Sequence, residues 1–214
     1  MGGFSQFTQA LREARLLGIL RAPTSGCAVE AALAAFRGGL RIIEIAFTTP
    51  EAPAALRALK TRLEDHALLG AGTIMKTAEA EAAIGAGAQF LVSPHLGEKV
   101  LEVAHSHGVP YIPGVLTPTE VARALGLGVE VVKLFPIGSG GGTRYLRDLL
   151  GPFPGLSALV TGGINPQEAP NYLKAGALAV GLGSNLFPKA ALEAGDWTAI
   201  EAATLSALRL AGPA

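Results

Sequence analysis

The chain has 214 residues, half of them hydrophobic, which suffices for a full core in one large domain or two small ones. Seventeen basic and seventeen acidic residues give zero formal net charge, which argues against nucleic acid as the main partner. The lone Cys27 excludes an internal disulfide framework, and no stretch reads as a secretory signal or a membrane span, so a soluble, cytoplasmic protein is expected.

Phe4–Leu16 reads as a helix ahead of the first strand. Short apolar runs then alternate with alanine-rich helical segments. The predicted strands are Leu17–Arg21, Leu40–Ala46, Ala67–Gly72, Gln89–Ser93, Val109–Pro113, Val129–Phe135, Ala158–Thr161 and Ala177–Leu182. Their starts recur roughly every 20–28 residues, the repeat of a compact strand–helix unit. Helices are predicted at Cys27–Arg37, Pro50–Arg62, Ala78–Gly85, Glu98–His107 and Thr119–Leu125. Expected caps are Ser25, Thr49-Pro50, Thr77, Thr117-Pro118 and Asn165-Pro166. Trp197 and the stripe Leu192, Ile200, Ala203, Leu208 read as a final helix docked on the body of the protein.

The strands are continuously apolar, as in a parallel sheet covered on both faces. Eight such units close into an α/β (β/α)8 TIM barrel with an extra N-terminal helix. A doubly wound open sheet is the alternative, but no Gly-x-Gly-x-x-Gly turn follows the first strand. Glycines and prolines are scattered and no low-complexity linker divides the chain, so residues 1–214 are expected to form one domain.

In such a barrel, chemistry sits at the C-terminal strand ends. Lys133 lies in Val131-Val132-Lys133-Leu134-Phe135-Pro136, where an unpaired ammonium would be costly. It is either a structural ion-pair partner or an amine kept partly neutral to attack a carbonyl. Glu44, flanked by isoleucines, reads as an ion-pair partner of Lys133 or Arg41, or as a general acid/base in the barrel mouth. Arg21 is a surface residue or an anion clamp. The turns Thr161-Gly162-Gly163 and Gly181-Leu182-Gly183-Ser184 are simple tight turns or a phosphate cradle. His66, His95, His105 and His107 are scattered, and no ligand set has metal spacing, so neither a metal nor a cofactor is expected.

The segments Ile43-Glu44-Ile45, Gly70-Ala71-Gly72-Thr73, Phe90-Leu91-Val92-Ser93-Pro94, Ile112-Pro113-Gly114, Val132-Lys133-Leu134-Phe135-Pro136, Gly151-Pro152-Phe153-Pro154, Thr161-Gly162-Gly163-Ile164 and Gly181-Leu182-Gly183-Ser184 run in order along nearly the whole chain. Together they resemble the class I aldolases that act on 2-keto-3-deoxy-6-phosphogluconate (KDPG) and 4-hydroxy-2-oxoglutarate (KHG). The resemblance implies that Lys133 is the Schiff-base lysine and Glu44 the general acid/base. It implies that Thr73, Pro94, Phe135 and Thr161 line the pyruvyl site, and that Gly162, Gly163, Gly183 and Ser184 hold a phosphate. It further implies a small-molecule 2-keto acid phosphate as substrate and a homotrimer. Many members of the family place an arginine four or five residues after the glutamate. Here Phe47-Thr48-Thr49 follows instead, and Arg21 is expected to supply the positive charge. Two other readings remain from the residues alone. One is a phosphate-binding barrel enzyme without a covalent lysine, of the phosphosugar isomerase or thiamine-phosphate synthase type. The other is a non-catalytic sensor or scaffold.

Overall fold

The computed structural model describes residues 2–213, with side chains from Ser5 to Pro213. Its strands are β1 (Leu16–Leu20), β2 (Ile42–Ala46), β3 (Leu68–Gly72), β4 (Phe90–Val92), β5 (Tyr111–Ile112), β6 (Gly114–Val115), β7 (Val131–Leu134), β8 (Ser157–Thr161) and β9 (Ala179–Leu182). The helices are α1 (Gly2–Ala14), α2 (Ser25–Arg37), α3 (Ala52–Leu63), α4 (Thr77–Gly85), α5 (Glu98–Ser106), α6 (Pro118–Gly126), α7 (Gly142–Leu150), α8 (Ala169–Lys174), α9 (Lys189–Ala194) and α10 (Trp197–Ala211).

All ladders are parallel, in the order β5-β4-β3-β2-β1-β9-β8-β7-β6. The fifth predicted strand is divided at Pro113, which has no N–H to give a ladder. Tyr111–Ile112 pairs with β4 and Gly114–Val115 pairs with β7. The Pro113 carbonyl accepts from Lys133 N at 2.8 Å, so the joint itself closes the circle. The nine strands are therefore eight staves of a barrel, and β2 stands opposite β7.

The two-residue period of a strand sorts the side chains. Leu17, Ile42, Phe90, Val92, Ile112, Val131 and Leu159 fill the barrel interior, and Phe7 and Leu11 of α1 close its floor. The intervening residues, such as Ile43, Ile45, Leu69, Leu91, Val132, Leu134 and Val160, pack outward on the helices. Gly70 has no Cβ because the Phe90 ring occupies that space, at 2.3 Å from an ideal Cβ.

Several helix starts differ from the sequence expectation. Thr24, not Ser25, caps α2, its Oγ1 accepting from Cys27 N at 3.1 Å. The third helix begins at Ala52 after a left-handed Glu51, because the Thr49 hydroxyl is engaged elsewhere. Thr77 is the first residue of α4 rather than its cap, and Glu79 Oε2 accepts from the amides of Met75 and Lys76. The cap expected at Thr117 is present, and the structure adds Glu120 as the reciprocal partner of a capping box. The terminal stripe breaks at Gly195, a left-handed glycine that ends α9. Asp196 then caps α10, which packs on α2 and α8. No helix among the described residues is long and apolar enough to cross a membrane.

Candidate active site

Above Ile42, Val131 and Leu159 the next inward positions are Glu44, Lys133 and Thr161. The interior layer over an apolar plug thus carries a carboxylate, an amine and a hydroxyl. They are 0%, 7% and 1% exposed. No ion pair within 4.0 Å joins Glu44 to Lys133, and among the described residues both Glu44 carboxylate oxygens and Thr161 Oγ1 lack a hydrogen-bond partner. The ion-pair reading of Glu44 is therefore corrected. Arg41, its other candidate partner, donates to the carbonyls of Phe36 and Leu40 and stacks on the Phe36 ring. Two buried side chains, Glu44 and Thr161, thus turn unsatisfied oxygens to the layer that holds the Lys133 amine, an arrangement complementary to a polar ligand.

Burial pushes the Glu44 carboxyl above the usual carboxylate range, and the positive charges of Lys133 and Arg21 partly offset that rise. Both cations therefore act on Glu44 without neutralising it by contact. Lys133 Nζ stands 5.2 Å from the centre of the Phe135 ring, which in turn packs on Gly162. The Phe135–Pro136 peptide is cis.

Missing side chains shape this layer as much as those present. An ideal Cβ on Gly72 would lie 1.6 Å from Glu44 Oε1, so the carboxylate occupies the space of a side chain. A Cβ on Gly181 would lie 2.6 Å from Thr161 Cγ2. Gly114, the ladder partner of Lys133, admits the Pro94 carbonyl, whose oxygen would be 2.3 Å from a Cβ there. The sequence reading placed Gly114 at a strand end and Gly181 in a late turn but gave Gly72 no site role; the signal for it was the two-residue spacing of Gly70 and Gly72 in β3. The backbone of Gly72 is not left-handed, so Gly72→Ala tests the clash alone. Its cleavage rate is expected to fall about 10²-fold, as for a misplaced reacting group. An unchanged rate would show that the carboxylate is not needed where it lies.

Thr73 follows Gly72 with φ +60°, a left-handed conformation that a β-branched residue rarely adopts. Such backbone costs on the order of 1–3 kcal/mol and concentrates at functional sites. Gly162 and Gly163 are also left-handed, at φ +92° and +73°, and any larger residue there would be strained. Among the described residues the amides of Gly163 and Ser184 have no protein acceptor and remain available to an anion. Ser93, buried in the same rim, donates its hydroxyl to the Ile74 carbonyl at 2.5 Å and fixes the β3–α4 loop.

Arg21 lies one residue beyond β1. Its Nε donates to Thr48 Oγ1 at 3.0 Å. A cavity of about 350 Å³ opens beside it, lined by Ile19, Arg21, Gly183, Ser184, Phe187 and Leu192 among others. The structure thus gathers the predicted residues at one barrel mouth: Glu44 and Thr73 on one side, Lys133, Pro94 and Phe135 opposite. Thr161, Gly162, Gly163, Gly183, Ser184 and Arg21 complete the rim. Among the described residues, no three His, Cys, Asp or Glu side chains come together in a group that could hold a metal ion.

Residues 7–203 match the family model for KDPG and KHG aldolase. The chain belongs to the KDPG and KHG aldolase family. It is 35% identical over 204 residues to a 2-dehydro-3-deoxy-phosphogluconate aldolase of Treponema pallidum, covering 95% of this chain and 97% of that one. A KHG/KDPG aldolase of Escherichia coli K12 is 36% identical over 81% of each chain. Among solved structures, a KDPG aldolase from Legionella pneumophila superposes with a TM-score of 0.86 at 30% identity, over 94% of this chain and 97% of that one. That crystal structure holds pyruvate captured as a covalent carbinolamine intermediate. Membership of this aldolase family makes the chain a carbon–carbon lyase.

Proposed function

We propose that this aldolase cleaves 2-dehydro-3-deoxy-6-phosphogluconate to pyruvate and glyceraldehyde 3-phosphate through a Schiff base on Lys133, with Glu44 moving the protons. The observation that carries the residue assignment is the interior layer itself. An amine and a buried carboxyl with no hydrogen-bond partner among the described residues face one space across the barrel, above a closed apolar floor.

The Lys133 amine, once it has given up its proton, attacks the C2 ketone, and loss of water gives an iminium, a stronger electron sink than the ketone. Glu44, directly or through a water, takes the C4 hydroxyl proton. The C3–C4 bond breaks, its electrons pass into the iminium, and the phosphorylated aldehyde leaves. The remaining enamine takes a proton back from Glu44, and hydrolysis frees pyruvate and the amine. A carboxyl raised by burial suits this two-way role, since it gives up and regains a proton more readily near neutral pH than an exposed one.

Thr73, Thr161 and Arg21 are assigned to the substrate carboxylate, while Pro94 and Phe135 pack on the pyruvyl methyl and exclude water. Gly162, Gly163, Gly183 and Ser184 are assigned to the phosphate, supported by the free amides of Gly163 and Ser184. KHG, cleaved to pyruvate and glyoxylate, is included as a second substrate of the same chemistry. The proposal extends to one catalytic domain spanning residues 1–214, a homotrimer, a cytoplasmic location and a place in the Entner–Doudoroff pathway. These last points rest on the resemblance and on the make-up of the chain.

Borohydride reduction in the presence of pyruvate tests the reading. A permanent adduct on the peptide containing Lys133 is expected by mass spectrometry. A phosphate-binding barrel without a covalent lysine would give no adduct, and an adduct confined to another lysine would reassign the nucleophile.

A further inference from the structure

The β2–α3 turn, where the family's usual arginine is absent, docks on the β1–α2 loop through two consecutive threonines. Thr48 Oγ1 accepts from Arg21 Nε at 3.0 Å, and Thr49 Oγ1 accepts from the next residue along, Ala22 N, at 3.1 Å. Thr49 is only 2% exposed, and its own amide donates to the Ala46 carbonyl at 2.9 Å, which ties the turn to the end of β2. The turn is therefore held by buried contacts, and Thr48 is presented in a fixed place. This double attachment is rooted in β2, two residues beyond Glu44.

We infer that Thr48 is a positioning residue for Arg21: by occupying Nε, it aims the two terminal nitrogens of the guanidinium at the substrate anion and keeps the cation beside Glu44. This rests on the aldolase reading above. An arginine free at Nε can bind an oxyanion through its side edge or its end, and it has long, costly rotamer freedom. With Nε engaged, only the end-on fork through Nη1 and Nη2 remains. The direction is set before substrate arrives, which lowers the ordering cost of binding. Arg21 also lines the 350 Å³ cavity with Gly183 and Ser184, and with Lys189 and Glu193 of α9. Two charged groups act on Glu44, Lys133 from β7 and Arg21 from the end of β1. Loosening Arg21 removes part of the charge that favours the ionised carboxylate.

Thr48→Val keeps the shape of the side chain and removes the acceptor at an exposed position. KM for the phosphorylated substrate is expected to rise about 3- to 10-fold, the factor that one hydrogen bond contributes. The acidic limb of the pH profile of kcat/KM is expected to move upward. Thr48→Ser restores both, and in an Arg21→Ala background Thr48→Val has no further effect. Pyruvate, tested by exchange of its methyl protons, carries the carboxylate alone. A parallel rise in its KM assigns the fork to the carboxylate, and a rise confined to the phosphorylated substrate assigns it to the phosphate. The inference is overturned if Thr48→Val matches the wild type in KM and pH profile, or if its effect persists without Arg21. Failure of pyruvate to label Lys133 in the wild type would instead remove the aldolase mechanism, and this inference with it.

Discussion

Lys133→Ala is expected to lose cleavage by a factor on the order of 10⁴–10⁶, the range seen when a covalent nucleophile is removed. No other lysine takes its place. Lys133 is the amine of the interior layer, whereas the half-buried Lys60 pairs with Asp65 and the exposed Lys189 pairs with Glu193. The fold should survive, because Lys133 contributes to the barrel mainly through its backbone. Its amide donates to Pro113 O and its ladder runs to Leu159, and alanine keeps both. The outward neighbours Val132 and Leu134, fully buried against the helices, are untouched. Pyruvate release should vanish while the circular dichroism spectrum and melting curve stay folded. A folded variant that still cleaves near the wild-type rate would refute the lysine assignment.

Glu44→Gln separates nucleophile from proton transfer. The variant keeps Lys133 and its surroundings, so the borohydride adduct with pyruvate still forms. Turnover is expected to fall about 10²–10⁴-fold, the usual worth of a positioned general acid/base. Normal turnover would remove Glu44 from the mechanism. Stability provides an independent readout of the same carboxyl. Its folded pKa lies above the unfolded value because burial disfavours the charged form. The folded state therefore holds this proton more tightly than the unfolded chain does. That contribution is full below the unfolded pKa and is lost as pH rises through the folded pKa. Glutamine cannot ionise, so the melting temperature of Glu44→Gln is expected to exceed that of the wild type at pH 8, with a smaller gap at pH 4. A gap that does not change with pH would contradict a raised Glu44.

The barrel and its chemistry were legible at different depths. Continuous apolar runs at regular spacing showed eight staves, because a strand buried on both faces has no polar side to display. The amine and carboxylate were visible as charges within such runs, where chance placement is costly. Helix α7 was implied by the eight units but given no bounds, and it begins in the glycine cluster Gly140-Gly141-Gly142, which carries no cap signal. The break at Pro113 was read as a strand end, yet the chain continues at once into Gly114–Val115, because the partner changes from β4 to β7. Thr49 reads locally as a helix cap, but the β1–α2 loop competes for its hydroxyl and wins. No neighbour in sequence reveals that competition.

Local chemistry alone determined which segments become strands, and the two-residue period placed Glu44, Lys133 and Thr161 on the same face as the apolar plug. Only barrel closure decided that Glu44 on β2 and Lys133 on β7 look at each other across a shared space instead of across a flat sheet. Tertiary packing also decided that the carboxylate lies over Gly72 and stays unpaired, because that depends on which Cβ atoms are absent from neighbouring strands. Propensity acts over a few residues along the chain. The distance between two reacting groups is set by register, closure and the volume left by residues far away in sequence.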